Sequence, residues 1–248
     1  MSYNLGFIND NVIKEHVLDT IKKYRFSIDL QDFNKNLIDP IKLTFDSKVY
    51  RKTFEDIIEN EILRQIDKSN TNHIGYFHQN IFKYIGKGWI VPDKGYDVEN
   101  RNKKIFVEMK NKHNTMNSSS SQKTYMRMQH TVLQDHEAQC MLVEVIAKKS
   151  QNIVWKNSLD GQLVSDERIR RVSIDKFYEL VTGDKWAFKR LCEAIPRIID
   201  DALGSPEAHK IQNSVYQELN ALSPRLMRSI YLLSFSKYEG FDKFEVEE

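Results

Sequence analysis

Apolar positions recur at helical spacing early in the chain, then at strand spacing, then at helical spacing again. In "TFEDIIENEILRQI", Phe54, Ile57, Ile58, Ile62 and Ile66 fall on one stripe and predict a helix. "GYFHQNIFKYIG" predicts a second helix, closed by Gly86 or Gly88. The period then changes. "GWIVPD" reads as a short strand stopped by Pro92, and "GYDVEN" and "KIFVEMK" read as two strands joined by a turn at "NRNK". "SQKTYMRMQHTVLQD" predicts a helix that follows the polar run "NSSSSQK". "CMLVEVIAK" is almost continuously apolar, the pattern of a central strand covered on both faces.

Beyond it the pattern is mostly helical. "VSIDKFYELVTG" ends at Gly183. "DKWAFKRLCEAIPRIIDDALG" starts from an Asp184 cap and ends at Gly204, with Pro196 as an expected kink or break. "SPEAHKIQNSVYQEL" opens as a helix, and "RSIYLLSF" fits helix or strand. Helices, antiparallel strands, a helix, a strand and more helices predict a three-layer α/β or α+β fold with a mixed sheet. The expected organisation is one domain over residues 1–248, with a core at about 54–150 and a helical C-terminal elaboration at about 172–248.

Composition narrows the function classes. No apolar run approaches the ~20 residues of a membrane helix, and "MSYNLGFINDNVIKEHV" lacks the pattern of a secretory signal. The two cysteines, Cys140 and Cys192, form no metal-spaced pair, which predicts a reduced, cytoplasmic protein. The net charge of +2 excludes a bulk polycation. The charge is nonetheless uneven. Arg101, Lys103, Lys104, Lys110, Lys112, Lys123 and Arg127 lie within 30 residues in which Glu108 is the only acid. A local basic patch of this kind suits nucleic acid.

That patch overlaps the hairpin "GYDVENRNKKIFVEMKNK". Side chains alternate along a strand, so Glu108 and Lys110 share one face while Ile105, Val107 and Met109 take the other. A two-residue turn at Arg101 and Asn102 pairs Asp97 with Phe106, diagonal to Glu108. A turn one residue later pairs Asp97 with Glu108 itself. Either register brings the two carboxylates within reach of one cation. Phosphodiester hydrolysis needs this set. Carboxylate oxygens suit Mg²⁺, the metal activates water and polarises phosphate, and a lysine offsets developing charge. Glu108-Met109-Lys110 is the only Glu-x-Lys in the chain. Asp93 follows Pro92 and is the rival aspartate, but "PDKG" reads as a turn.

At Asp97, Glu108 and Lys110 the chain resembles the PD-(D/E)xK nuclease superfamily, although Gly95-Tyr96 rather than a proline precedes the aspartate. "EILRQIDKSNTNHIGYFHQNIFKYI", "GYDVENRNKKIFVEMKNKHNTMNSSSSQKTYMRMQ" and "FYELVTGDKWAFKRL" are similar to one family of type II restriction endonucleases, whose members cut GGNCC-like interrupted palindromes. The resemblance implies a restriction-endonuclease-like core, Mg²⁺-dependent cleavage of both strands of double-stranded DNA, a homodimer and a restriction-modification system. It implies neither a membrane nor a nucleotide cofactor. It makes Asp97 and Glu108 metal ligands and Lys110 catalytic, with Glu61 or Glu59 as a further acid from the first helix. Lys112, His113 and Asn114, and then Ser119, Lys123, Arg127 and Gln129, are the expected DNA contacts. Arg168, Arg170 and Arg171 are alternatives, because arginine-to-guanine is the commonest base contact. The competing readings are a structure-specific nuclease of the same superfamily and a non-catalytic DNA-binding module.

Overall fold

The computed structural model describes residues 2–113, 115–159, 161–204, 211–238, 241, 244 and 245. Its elements run α1 (Asp10–Ile21), β1 (Ser27–Ile28), α2 (Leu30–Asn34), α3 (Pro40–Tyr50), α4 (Phe54–Asn80), β2 (Val98–Asn100), β3 (Ile105–Lys112), α5 (Ser118–Gln134) and β4 (Gln139–Ile146). They continue β5 (Asn152–Val154), β6 (Asn157–Leu159), β7 (Gln162–Val164), β8 (Ile169–Ser173), α6 (Ile174–Thr182), α7 (Ala187–Leu203), β9 (Gln212–Asn213), α8 (Val215–Leu222) and α9 (Leu226–Phe235). Among the described residues, no helix is long and apolar enough to cross a membrane.

The chain forms two compact units. The unit made of Met1–Lys22 and Ile74–Pro206 holds a five-stranded sheet in the order β2-β3-β4-β8-β5. Strands β3, β4 and β8 are parallel, and β2 and β5 run antiparallel along the two edges. The near-continuous apolar run becomes the middle strand. Cys140, Met141, Leu142 and Val143 of β4 are each at most 1% exposed, so both faces of the strand are covered.

Each face has its own core. Val98, Val107, Met109, Met141, Val143 and Val172 pack with residues of α1, α6 and α7, including Val17, Phe177, Tyr178 and Ile198. On the opposite face Cys140, Leu142 and Ile169 meet Tyr125, Met128 and Val132 of α5. Helix α5 exists for two reasons. The Asn117 Oδ1 accepts the Ser120 N–H at 2.8 Å, capping the serine run. Its apolar residues then recur at helical spacing on the side that faces the sheet. This is the three-layer α/β arrangement that the pattern predicts.

The second unit, Lys23–His73 with Glu207–Glu248, is built on helices. The predicted stripe of α4 (Phe54, Ile57, Ile58, Ile62 and Ile66) packs with Phe33, Leu43, Val215, Leu219 and Ile230.

Several elements differ from the expected ones. The two predicted helices before Gly86 are one helix to Asn80, followed by a short 3-10 turn, because no proline or glycine interrupts Asp67–His73. "GWIVPD" forms no strand. Ile90 makes a single bridge to Glu99, and Pro92 and a bend carry the chain away. Helix α7 continues through Pro196, whose lost hydrogen bond falls on the carbonyl of the exposed Cys192. Asp184 is not its cap: the helix begins at Ala187 with Trp186 at the N-cap position, and Asp184 braces the preceding turn by accepting the Trp186 N–H at 2.9 Å. The "RSIYLLSF" segment is helix. Strand β8 arises from "IRRVS"; it takes Val172 and Ser173 from the stretch expected to be helical, and α6 starts only at Ile174.

Phe177 is fully buried, with its ring centroid 4.7 Å from that of Phe82 and 5.3 Å from that of Trp89. Phe177→Ala is expected to lower unfolding free energy by about 3–5 kcal/mol. Leu163→Ala, at a position 72% exposed, should shift it by no more than about 0.5 kcal/mol. Urea titration of both variants checks this packing, and equal midpoints would contradict it.

Candidate active site

The hairpin of β2 and β3 sets the geometry. Val98 pairs with Val107, Glu99 with Phe106 and Asn100 with Ile105. Continued by one residue, the register places Asp97 opposite Glu108, the second of the two alternatives. The loop chemistry explains the choice. The Lys103 N–H donates to Asn100 Oδ1 at 3.1 Å and the Lys104 N–H to Arg101 O at 3.2 Å. Lys104 turns the chain with a left-handed φ of 53°, and its ammonium reaches Asp135 and Glu137. Asp97 closes on the neighbouring strand, its Oδ2 accepting the Met109 N–H at 2.7 Å. Asp93 stands exposed in the preceding bend.

Glu108 is held from two sides. The Lys110 Nζ donates to Glu108 Oε1 at 2.8 Å, and the Arg127 Nη2 donates to Glu108 Oε2. Arg127 is fixed in turn. It lies over the Tyr96 ring, 4.5 Å from the centroid, and donates to Gly95 O at 3.2 Å. Asp97 is less well served. Burial pushes its carboxyl above the usual aspartate range, and the charge of Glu108 adds to the rise. The Met109 N–H, Lys110 and Arg127 oppose that shift.

This donor set fits a hard divalent cation. Two carboxylates face each other across a strand pair, and one of them pays for its charge through burial and like-charge repulsion. No group of three or more metal-capable His, Cys, Asp or Glu residues gathers among the described residues. Two carboxylates therefore leave most of a coordination shell to water and phosphate, which suits Mg²⁺.

The other predicted residues are distributed as follows. Glu61 is buried in the helical unit, where Arg64 donates to it at 2.5 and 2.6 Å and Gln65 at 2.9 Å. Burial works against its charge, but these donors outweigh burial and hold the carboxyl below its ordinary range. Glu59 is exposed on the same helix. Lys112 is exposed at the end of β3, and Ser119 and Lys123 are exposed on α5, with Gln129 half-buried. Asn114 lies outside the described residues. Arg168 pairs with Asp166 and donates to Val132 O, and Arg170 is engaged by Asn152.

One cluster next to the triad is not legible as a set in the sequence. Lys110 on β3 pairs in register with Glu144 on β4, and Leu142 with Arg171 on β8. Glu144 is 1% exposed. Its carboxylate lies 3.0 Å from His113 Nδ1 and accepts from Arg171 Nη2. A lone glutamate inside an apolar run was the available signal, because a buried carboxylate needs a partner.

Comparison with known proteins finds relatives along most of the chain. A family model described as Eco47II restriction endonuclease matches residues 5–204, which include every residue of the triad and the cluster. The type II restriction enzyme Sau96I of Staphylococcus aureus is 32% identical over 253 aligned positions, covering 94% of this chain and 96% of that protein. The type II restriction enzyme Eco47II of Escherichia coli is 28% identical over 211 positions, covering 79% of this chain and 87% of that one.

The Asp97 environment makes a pH-dependent prediction. A carboxyl whose folded pKa is raised adds stability while protonated, and that contribution is lost as pH rises through the folded value. Asp97→Asn mimics the protonated form at all pH and leaves an oxygen for the Met109 N–H. In chelator at neutral pH its melting temperature should exceed that of the parent. The gap should close as pH falls below the ordinary carboxylate range. Addition of Mg²⁺ should stabilise the parent and not the variant. A variant that melts below the parent at neutral pH would contradict the account.

Proposed function

Since this chain belongs to the Eco47II restriction endonuclease family and is a site-specific type II restriction endonuclease, we propose that Asp97, Glu108 and Lys110 form its catalytic centre, that Mg²⁺ is its cofactor, and that a homodimer cuts both strands of DNA at a GC-rich interrupted palindrome of the GGNCC kind. The observation that carries the catalytic assignment is the hairpin register. It brings two carboxylates from neighbouring strands face to face and leaves a lysine bonded to one of them.

Asp97 and Glu108 would hold the cation, each through a carboxylate oxygen. Mg²⁺ supplies Lewis acidity toward both the scissile phosphate and water. Lys110 moves from its ion pair with Glu108 toward the phosphate, where its Nζ donates to the attacking water or to a non-bridging oxygen. Arg127 keeps Glu108 oriented through its own anchors on Tyr96 and Gly95. The apolar side of β3 fixes all of this rigidly, because Val107 and Met109 are locked in the core beneath.

A dimer and a palindrome suit one another. A two-fold assembly presents one such site to each strand at equivalent half-sites. The similarity of the long blocks around the hairpin to the family that cuts GGNCC-like palindromes supports the GGNCC-like assignment.

Incubation of a fully sequenced plasmid with the protein and Mg²⁺ should give discrete fragments whose ends share one palindromic sequence. Chelator should stop the reaction. Glu108→Ala and Lys110→Ala should each lose at least about 10²–10³-fold in cleavage rate, and Glu108→Ala should retain DNA binding. Intact plasmid across many GC-rich palindromes, or parental activity in Glu108→Ala, would overturn the proposal. Sedimentation should show a dimer.

A further inference from the structure

Beside the proposed catalytic centre lies a second, more basic recess. Lys110, Lys112, Thr115, Ser121, Glu144 and Arg171 line most of a cavity of about 70 Å³. That is several times the ~10–15 Å³ needed to admit one water, yet far below the ~300–1,000 Å³ of a pocket for a free small molecule. It suits the non-bridging oxygens of a phosphodiester rather than a nucleoside.

Its charges are unequal. Lys110, Lys112 and Arg171 bring three cations, and Glu144 is the single carboxylate among the lining residues. Lys110 is shared with Glu108, while Lys112 is exposed and has no ion-pair partner among the described residues. Arg171 is only partly committed. Its Nη2 is held by Glu144 Oε1 and His113 Nδ1, whereas its Nε is buried with no hydrogen-bond partner. An orphaned guanidinium donor in a basic recess is a costly arrangement unless something accepts from that guanidinium. Glu144 has a different part. Buried on the central strand and paired with Arg171, it aims the guanidinium and leaves the recess net positive.

We propose that Arg171 and Lys112 form a clamp for a DNA backbone phosphate next to the scissile one, with Glu144 as the residue that positions Arg171. The proposal rests on the catalytic reading above, since Lys110 belongs to both sites. The sheet supplies the spacing. Neighbouring strands are ~4.8 Å apart, so β8 sets Arg171 about two strand spacings from the triad strand. A strand of DNA crossing the carboxylate pair would present its next phosphate on that side. The contact is to backbone, so it registers the duplex without reading sequence.

Binding in chelator, measured on a duplex containing the mapped cut site and on a scrambled duplex, tests this. Arg171→Gln and Lys112→Gln should each weaken both duplexes by the same factor, about 10- to 100-fold at low salt for the arginine. Each should reduce the log–log salt slope by about 1. A neutral methylphosphonate at the phosphate beside the cut should weaken the parent and leave Arg171→Gln unaffected. Glu144→Ala should lose the same slope, and Glu144→Gln, which keeps an acceptor for Arg171, should restore it. Loss confined to the cut-site duplex would make Arg171 a base reader and overturn the clamp, as would parental binding in both glutamine variants. Because Lys112 is exposed, its variant tests the clamp even if the Arg171 variants fold poorly. A slope unchanged in Glu144→Ala would remove that residue from the clamp. Glu108→Gln separates the two proposals. If it still cuts, the catalytic reading fails whatever the binding shows. If it is inactive while Arg171→Gln binds normally, only the clamp fails.

Discussion

The two-residue period of β3 is the constraint on which the site depends. Ile105, Val107 and Met109 must face the core, and that burial is worth roughly 1.5–3 kcal/mol for each large apolar side chain. Once they are committed, Glu108 and Lys110 have one face left to them. A slip of one residue would bury two charges and expose three apolar groups. The core therefore enforces the chemistry. The loop then fixes which residue of β2 arrives opposite. Asn100 caps the turn, Lys104 accepts a left-handed backbone, and its ammonium is tied to Asp135 and Glu137. These contacts lie far from Asp97 along the strand, yet they decide that it meets Glu108.

Charge balance explains why such a site is poised rather than collapsed. Glu108 has two cationic partners, and Asp97 has one backbone N–H and an unfavourable neighbour. A divalent cation between the carboxylates would relieve the repulsion and release Lys110 for the phosphate. Arg127 is anchored on Tyr96 and Gly95 independently of Lys110, so Glu108 would keep that anchor if the lysine left. The unfavourable electrostatics of Asp97 are thus a local cost that a bound cation would remove, as expected where function outranks stability.

Much of this was legible in the sequence, and the limits have physical reasons. Alternation along "KIFVEMK" placed Glu108 with Lys110, and the continuous apolar run announced the central strand, because both signals are local. The choice between two registers for Asp97 was not local. It turned on the conformation of four polar residues, whose sequence admits more than one turn. Strand β8 is hidden because paired arginines mask its alternation, Ile169 and Val172 facing opposite cores while Arg171 turns to the buried Glu144 and Arg170 to Asn152. Arg127 reads as a candidate DNA contact because it is an arginine on the predicted helix after the serine run. Its tie to Glu108 requires knowing how α5 crosses the sheet.

Glu144 shows what tertiary structure adds to such a reading. Within its own strand it looks like an interruption of an apolar run, and an unpaired carboxylate there would cost several kcal/mol. Parallel pairing brings Lys110 on one side and the strand of Arg171 on the other, and the chain leaving β3 returns His113 to it. Each of these residues is ordinary in its own segment. Three consecutive strands present them in order, carboxylates and lysine first and the arginine cluster next. The sheet thereby lays out the carboxylate–lysine group and the arginine cluster at the spacing of its own strands, which a polyanion lying across it can meet in succession. A restriction enzyme must register a duplex to within a single phosphate before it cuts, and a rigid central sheet is better suited to that task than loops.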